Sequence, residues 1–244
     1  MRYCGGEDLL AKALFWRGYR YPETETIDLF LSLVDKSRVM LDIGASSGLF
    51  SIMAARSNPS LLVHAFEPVP RIFDLLQRNV RLNELRSVTA HPSAVCDRAG
   101  SVTLHVPAGA FPTDASLRPG FRPECDAIVV QATTVDSIVE QENLPRLDLM
   151  KIDTETTEPE VLTGARRTLA RLRPLIICEV LGGQTEERLH ATLDGQKYSY
   201  YWITRRGLAP RNRIEGDPAY RERNYLFVPE EKVELLRELA TLLV

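Results

Sequence analysis

The chain has 244 residues, 44% of them hydrophobic and 26% charged. That composition fits a globular protein of one large domain or two small ones and excludes collagen-like, mucin-like and largely disordered chains. Thirty Lys and Arg against thirty-three Asp and Glu leave a net charge of -3, too little for a global field that would hold the chain on nucleic acid or an anionic bilayer.

The first forty residues carry a helical pattern. Leu9, Leu10, Ala13 and Leu14 recur at helical spacing, as do Ile27, Phe30, Leu31 and Val34 after the break at Tyr21-Pro22. Residues 1–38 are therefore expected to form a helical N-terminal extension packed on a domain spanning 39–244. From Val39 short apolar runs alternate with helical stretches. Val39–Gly44 reads as a strand, Leu49, Ile52 and Met53 as helix, Leu61–Pro68 as a buried strand, Arg71–Asn83 as a second helix and Val88–Val95 as a third strand. This β-α-β-α-β rhythm implies parallel pairing. SVTLHV and AIVVQATTV flank a Pro/Gly-rich loop from Pro107 to Pro123, an expected inserted hairpin or lid whose Phe111, Asp114, Ser116, Arg118 and Phe121 suit an acceptor. Leu147–Asp153 is a further strand, and Val161, Leu162, Ala165, Leu169 and Leu172 form one helix face, with Thr157 and Glu160 spaced as a capping box. Pro174–Leu181 reads as a central buried strand, Gln184–Leu193 as a short helix, and Lys197–Thr204 and Tyr225–Pro229 as an antiparallel pair at a sheet edge. The Arg-rich loop between that pair, with Arg205, Arg206, Arg211, Arg213, Arg221 and Arg223, reads first as solvated surface and second as a dock for a phosphate or carboxylate on an acceptor.

No apolar run approaches the ~18 residues of a membrane span. Met1–Gly6 lacks the basic flank and apolar stretch of a secretion signal, so the expected location is cytoplasmic. Cys4, Cys96, Cys125 and Cys178 are far apart and read as reduced thiols, Cys96 and Cys178 as core packing. The four histidines have no metal-finger spacing and read as structural or exposed.

The turn Asp42-Ile43-Gly44-Ala45-Ser46-Ser47-Gly48 ends the first strand, where open α/β sheets bind ligands. A dinucleotide fingerprint needs a second glycine where Ser46 stands, which disfavours NAD. A nucleoside ligand without a phosphate needs only a glycine turn, an acid near its ammonium (Asp42) and an acid for its ribose. Glu67 ends the second strand, close to the ~20 residues past the first glycine expected for that role. S-adenosylmethionine (SAM) is such a ligand. Pro68 beside Glu67, and Ser93 and Ala94 on the third strand, are assigned with Gly44, Ala45, Ser46 and Gly48 to the same site. Asp153, Glu155 and Glu158 cluster at the end of the fourth strand of the alternation, and Asp153 or Glu158 could act as a base toward an acceptor hydroxyl. Lys151 is a candidate ion-pair partner within that cluster, and Glu158 and Glu160 could equally serve only the helix N-terminus, at ~0.3–1 kcal/mol each. Asp153 with Glu179 offers oxygen ligands for Mg²⁺, the disfavoured alternative, and no metal ligand set is assigned.

With these residues in place, the chain resembles the FkbM family of SAM-dependent methyltransferases over Tyr19 to Gly182. Three of the family's segments are matched: DxGAxxG at Asp42–Gly48, AFEP at Ala65–Pro68, and KxDxEGxExxVLxGA at Lys151–Ala165. Asn79 and Asn83 match a pair of family asparagines and read as helix and turn polar groups. Thr156 stands where the family has glycine, putting a β-branched residue in a turn that needs positive φ. The resemblance implies a class I fold: a doubly wound, mostly parallel seven-stranded α/β sheet with an antiparallel edge pair and a helical N-terminal addition. It also implies SAM-dependent O-methylation of a sugar, glycoconjugate or polyketide-like small natural product, with a small-molecule or saccharide acceptor. Nucleic acid is not expected, because DTET at the end of the fourth strand lacks the Asn/Asp-Pro-Pro-aromatic motif. Two rivals make different predictions: a SAM-binding protein without catalysis, and an NAD-type oxidoreductase.

Overall fold

The computed structural model describes residues 24–108 and 115–240. The expected helix around Leu9–Leu14, together with Cys4, Phe111 and Asp114, lies outside them. In chain order the elements are α1 (Thr24–Asp35), β1 (Val39–Ile43), α2 (Leu49–Ser57), β2 (Leu62–Phe66), α3 (Pro70–Leu82), β3 (Val88–His91), β4 (Ala94–Val95), β5 (Gly100–Pro107) and β6 (Cys125–Thr133). They continue with α4 (Val135–Gln141), β7 (Leu149–Ile152), α5 (Glu158–Thr163), α6 (Arg166–Arg171), β8 (Leu175–Glu179), α7 (Glu186–Leu193), β9 (Tyr198–Thr204), β10 (Gly207–Arg211), β11 (Asn224–Pro229) and α8 (Val233–Ala240).

Eight strands form the main sheet in the order β10-β9-β11-β8-β7-β1-β2-β3. The run from β8 to β3 is parallel throughout. β11 enters antiparallel between β8 and β9, and β10 folds back on β9 as the outermost strand. The seven expected strands are all present. The eighth, β10, comes from the Arg-rich loop, whose Gly207 takes φ +102° and allows the tight return. The Lys197–Thr204 and Tyr225–Pro229 strands do pair, but β11 is interior, fully buried along its length, and not an edge.

Alternation along the parallel strands feeds two cores. Leu41, Ile43, Phe66, Met150, Ile152 and Ile176 pack against α4, α5, α6 and α7. Met40, Val63, Ala65, Leu149 and Ile177 face α1, α2 and α3 on the other side. Both faces of the sheet are thus covered, which is why these strands read as continuous apolar runs. Ile27, Phe30 and Val34 of α1 are buried as their spacing requires, and Phe30 meets Phe50 edge to face at 5.0 Å. SVTLHV and AIVVQATTV form the hairpin β5–β6, and β4 joins β6 in a separate three-stranded sheet. The expected third strand therefore splits, with β3 in the main sheet and β4 in the small one.

The Thr157 capping box does not form. Its Oγ1 donates to Thr154 O at 3.0 Å instead of accepting a helix N–H, and the single expected helix breaks into α5 and α6 around Gly164. Cys96 and Cys178 are buried free thiols. Among the described residues no helix is long and apolar enough to cross a membrane.

Candidate active site

β1 is where the strand order reverses, with β2 and β3 on one side and β7 and β8 on the other. The carboxyl ends of these strands open a crevice of the kind that binds ligands in open α/β sheets. A cavity of about 320 Å³ lies there. Its wall includes Gly44, Ala45, Ser46, Glu67, Pro68, Ser93, Ala94, Asp153 and Glu155 of the expected site. Asp42, Gly48 and Glu158 lie outside that wall.

The glycine turn is built by backbone necessity. Gly44 takes φ +79°, and a Cβ there would lie 1.8 Å from Asp153 O, so β1 and β7 can approach only if the residue has no side chain. Gly48 takes φ +94° against Leu76. Ser46, where a dinucleotide site has glycine, also adopts positive φ, +49°. Asn79 is buried and donates through Nδ2 to Ser47 O at 2.8 Å, bracing the turn from α3. Asp42 sits behind the turn, where Ser51 Oγ donates to its Oδ2 at 2.6 Å. Burial pushes its pKa up, against that hydrogen bond and the charge of Lys151.

Glu67 links two loops: Oε2 accepts from Ser46 N at 3.0 Å and Oε1 from Val69 N at 2.9 Å. Burial raises its pKa to about 7 despite both bonds. A carboxylate has about four lone-pair positions, so these two bonds leave capacity to accept from a ligand diol.

Lys151, a fully buried side chain, donates to Asp153 Oδ2 at 3.0 Å and lies 5.0 Å from the Phe50 ring centroid. Burial alone would raise the Asp153 pKa, but the Lys151 charge and hydrogen bond outweigh it and hold the carboxyl below its usual range. Glu158 does not border the cavity. Its Oε1 accepts from Thr154 N and Thr154 Oγ1 at 2.9 and 3.0 Å, and burial raises its pKa to about 7. Glu155 and Thr156 both take positive φ, +53° and +81°. The turn thus keeps the glycine-like conformation with a buried threonine in it. Ser116 clasps that turn, donating to Glu155 O at 2.6 Å, with its Oγ 3.3 Å from Thr156 Oγ1. Ala115 and Leu117 beside it line the cavity, so the expected lid segment reaches the site.

Two charged lining residues, Glu179 and Arg223, fall outside the sequence-based site. The sequence offers Glu179 only as a metal ligand, and Arg223 only within a loop cluster that reads as solvated surface or as a dock for an acceptor's phosphate or carboxylate. Arg223 Nη1 pairs with Glu179 Oε1 at 2.9 Å because β11 lies beside β8 with Asn224 opposite Glu179. No local motif signals that neighbour. The carboxyl oxygens of Asp153, Glu155 and Glu179 lie within 4.8 Å of one another. A divalent cation can span such a spacing, but Lys151 and Arg223 already provide cationic partners for Asp153 and Glu179.

A family model described as the methyltransferase FkbM domain matches residues 42–201. The chain is 27% identical over 158 residues to the 31-O-demethyl-FK506 methyltransferase FkbM of Streptomyces tacrolimicus, a match that covers 52% of this chain and 58% of that protein. It is 29% identical over 153 residues to the methyltransferase sdnD of Sordaria araneosa, covering 51% and 59%. The chain thus spans less than two thirds of the length of these curated relatives. Among solved structures, an FkbM methyltransferase from Methylobacillus flagellatus aligns with a TM-score of 0.53 at 18% identity, over 79% of this chain and 43% of that one. An O-methyltransferase from Klebsiella pneumoniae, itself described as unproven, aligns at 0.51 and 13% identity over 92% and 91%. At these identities the structural likeness shows the fold.

Proposed function

The chain belongs to the FkbM methyltransferase family, and from that premise we propose that it transfers the methyl group of SAM to a hydroxyl of a sugar, glycoconjugate or small natural product. One observation carries the reading: the glycine turn, Glu67 and a cluster of carboxyls border a single cavity at the carboxyl ends of β1, β2, β7 and β8. The donor set suits the cofactor, with a carboxyl for a ribose diol, a close-approach glycine turn and acids facing where a cation would sit. Gly44, Ala45, Ser46, Glu67, Pro68, Ser93, Ala94 and Asp153 form the proposed cofactor wall, and Asp42 and Gly48 shape the turn behind it.

When bound, SAM supplies an electrophilic methyl group on a positive sulfur. The work left to the protein is to hold an acceptor oxygen in line, exclude water and accept a proton. The carboxyls on the cavity side of β7 and β8 are placed for that last task. Glu158, tied to Thr154, supports the loop. The Ala115–Leu117 segment supplies apolar cover. Proton transfer to a carboxylate is proposed without a metal, because Lys151 and Arg223 already pair with the would-be ligands, and turnover should be unchanged in chelator.

Calorimetry with SAM and with NAD separates the cofactor readings, and a labelled-methyl screen over hydroxylated sugars and polyketides identifies the acceptor. Binding of SAM and labelled product are expected. Binding of NAD without SAM would overturn the proposal, and SAM binding without transfer to any acceptor would favour a non-catalytic binder.

A further inference from the structure

Glu179 ends β8 with its side chain 3% exposed, and it lines the cavity. Oε1 takes the Arg223 guanidinium at 2.9 Å, while Oε2 is buried with no hydrogen-bond partner. The groups facing it come from every neighbouring element: Asp153 after β7, Glu155 in the following turn, Glu158 on α5 and Arg223 before β11, with Lys151 reaching Asp153 from within β7. Three carboxyls, those of Asp153, Glu155 and Glu179, therefore lie within 4.8 Å of one another against two cations, with the Glu158 charge behind them. Like charges this close cannot all ionise in a low dielectric.

The position of the cations decides where a proton resides. Lys151 is fully buried and belongs to Asp153, which keeps that carboxyl ionised. Arg223 is 33% exposed, so its charge is partly screened, and Glu179 carries the deeper oxygen. Burial first, then the Asp153 and Glu155 charges, push Glu179 well above the carboxylate range, with Arg223 pulling the other way.

Resting on the cofactor reading above, we infer that Glu179 is a catalytic residue that holds a proton while the cavity lacks a cation, gives it up when a sulfonium enters, and then takes the acceptor's hydroxyl proton. In the transfer, the acceptor O–H bond breaks and its proton moves to the Glu179 carboxylate. The freed electron pair forms the bond from oxygen to the methyl carbon. The sulfur–carbon bond breaks with its electrons left on sulfur. One positive and one negative charge vanish together, so the cavity's net charge is unchanged by the step. The neutral thioether product, S-adenosylhomocysteine, then sits beside a protonated Glu179, as a neutral ligand would at the start.

The test needs no acceptor. SAM and S-adenosylhomocysteine are each titrated calorimetrically into the full chain at neutral pH, in two buffers of different protonation enthalpy. SAM is expected to release about one proton more per site than S-adenosylhomocysteine. Protons from Glu67 are common to both ligands and cancel. Glu179→Gln should bind both ligands with the difference abolished. In the unmodified chain, the ratio of SAM to S-adenosylhomocysteine affinity should rise about tenfold per pH unit on the acid side of the Glu179 transition, a readout that stands even if the variant fails to fold. An equal proton count for the two ligands with a pH-independent ratio, or a difference that persists in Glu179→Gln, overturns the inference alone. Failure of both ligands to bind overturns the cofactor reading and the inference with it.

Discussion

Glu67 and Glu158 are both buried and both pushed to about 7, yet only Glu67 borders the cavity. For Glu67→Gln we expect weaker SAM binding by ~1.5–3 kcal/mol, roughly tenfold to a hundredfold in Kd. An amide replaces one acceptor oxygen, so it can satisfy only one of the Ser46 and Val69 N–H groups. An unchanged dissociation constant by calorimetry would remove Glu67 from the site. Glu158→Gln keeps an acceptor for Thr154 and removes an ionisable group. A carboxyl whose folded pKa is raised contributes stability below its unfolded value of 4.5 and loses it as pH rises through about 7. The variant should therefore match the native stability in denaturant unfolding near acid pH and exceed it in mild alkali, by ~1–3 kcal/mol. If Glu158 were the base, the same variant would instead lose methyl transfer. The place of Glu67 at the cavity was legible because the distance from a glycine turn to the acid that ends the next strand is set by one βαβ unit. Arg223 was not, because its partner is chosen by strand pairing across 44 residues of sequence rather than by spacing.

At the scale of elements, the crossing of β1 and β7 depends on Gly44. Gly44→Ala places a Cβ 1.8 Å from a backbone oxygen that cannot rotate away, and a loss of at least ~3 kcal/mol is expected in denaturant unfolding. Gly100→Ala is the control. Its φ is also positive, +121°, but nothing lies within 4 Å of the added carbon, so only the backbone strain of ~1–3 kcal/mol remains. Similar costs for the two would show that φ, not close approach, governs Gly44. The strands were legible from apolar runs because both sheet faces are covered. The helix after β7 was legible only as a face. Val161, Leu162 and Leu169 are all buried, yet the backbone breaks between them, where a Cβ on Gly164 would meet Cys96 O at 2.1 Å. Periodicity reports which side is buried and is blind to such a break.

Across the whole molecule, pH acts on opposite edges of the stability balance. On β2 and β3, His64 Nδ1 and His91 Nε2 lie 3.1 Å apart with nearly parallel rings. Burial lowers both pKa values, with Glu142 opposing. A histidine held neutral by the fold contributes stability above its unfolded value of 6.5 and loses it as pH falls below that. His91→Gln should therefore reduce the fall in melting temperature between about pH 7.5 and 5.5. An identical fall in both proteins would show that the pair is not a proton-sensitive joint. The parallel half of the sheet was visible in the sequence as a β-α rhythm. The antiparallel half was not fully so, because β10 is short and its Gly, Pro and Arg composition matches that of a loop.

The insertion of β11 between β8 and β9 also has a temporal meaning. Ribosomes deliver the glycine turn and Glu67 before β8, and Arg223 with the strand that fixes it only after β8. Until then β8 has a bare flank where β11 will dock, and Glu179 lacks its guanidinium. A nascent chain could thus assemble the turn while the Arg223–Glu179 side of the cavity still awaits synthesis.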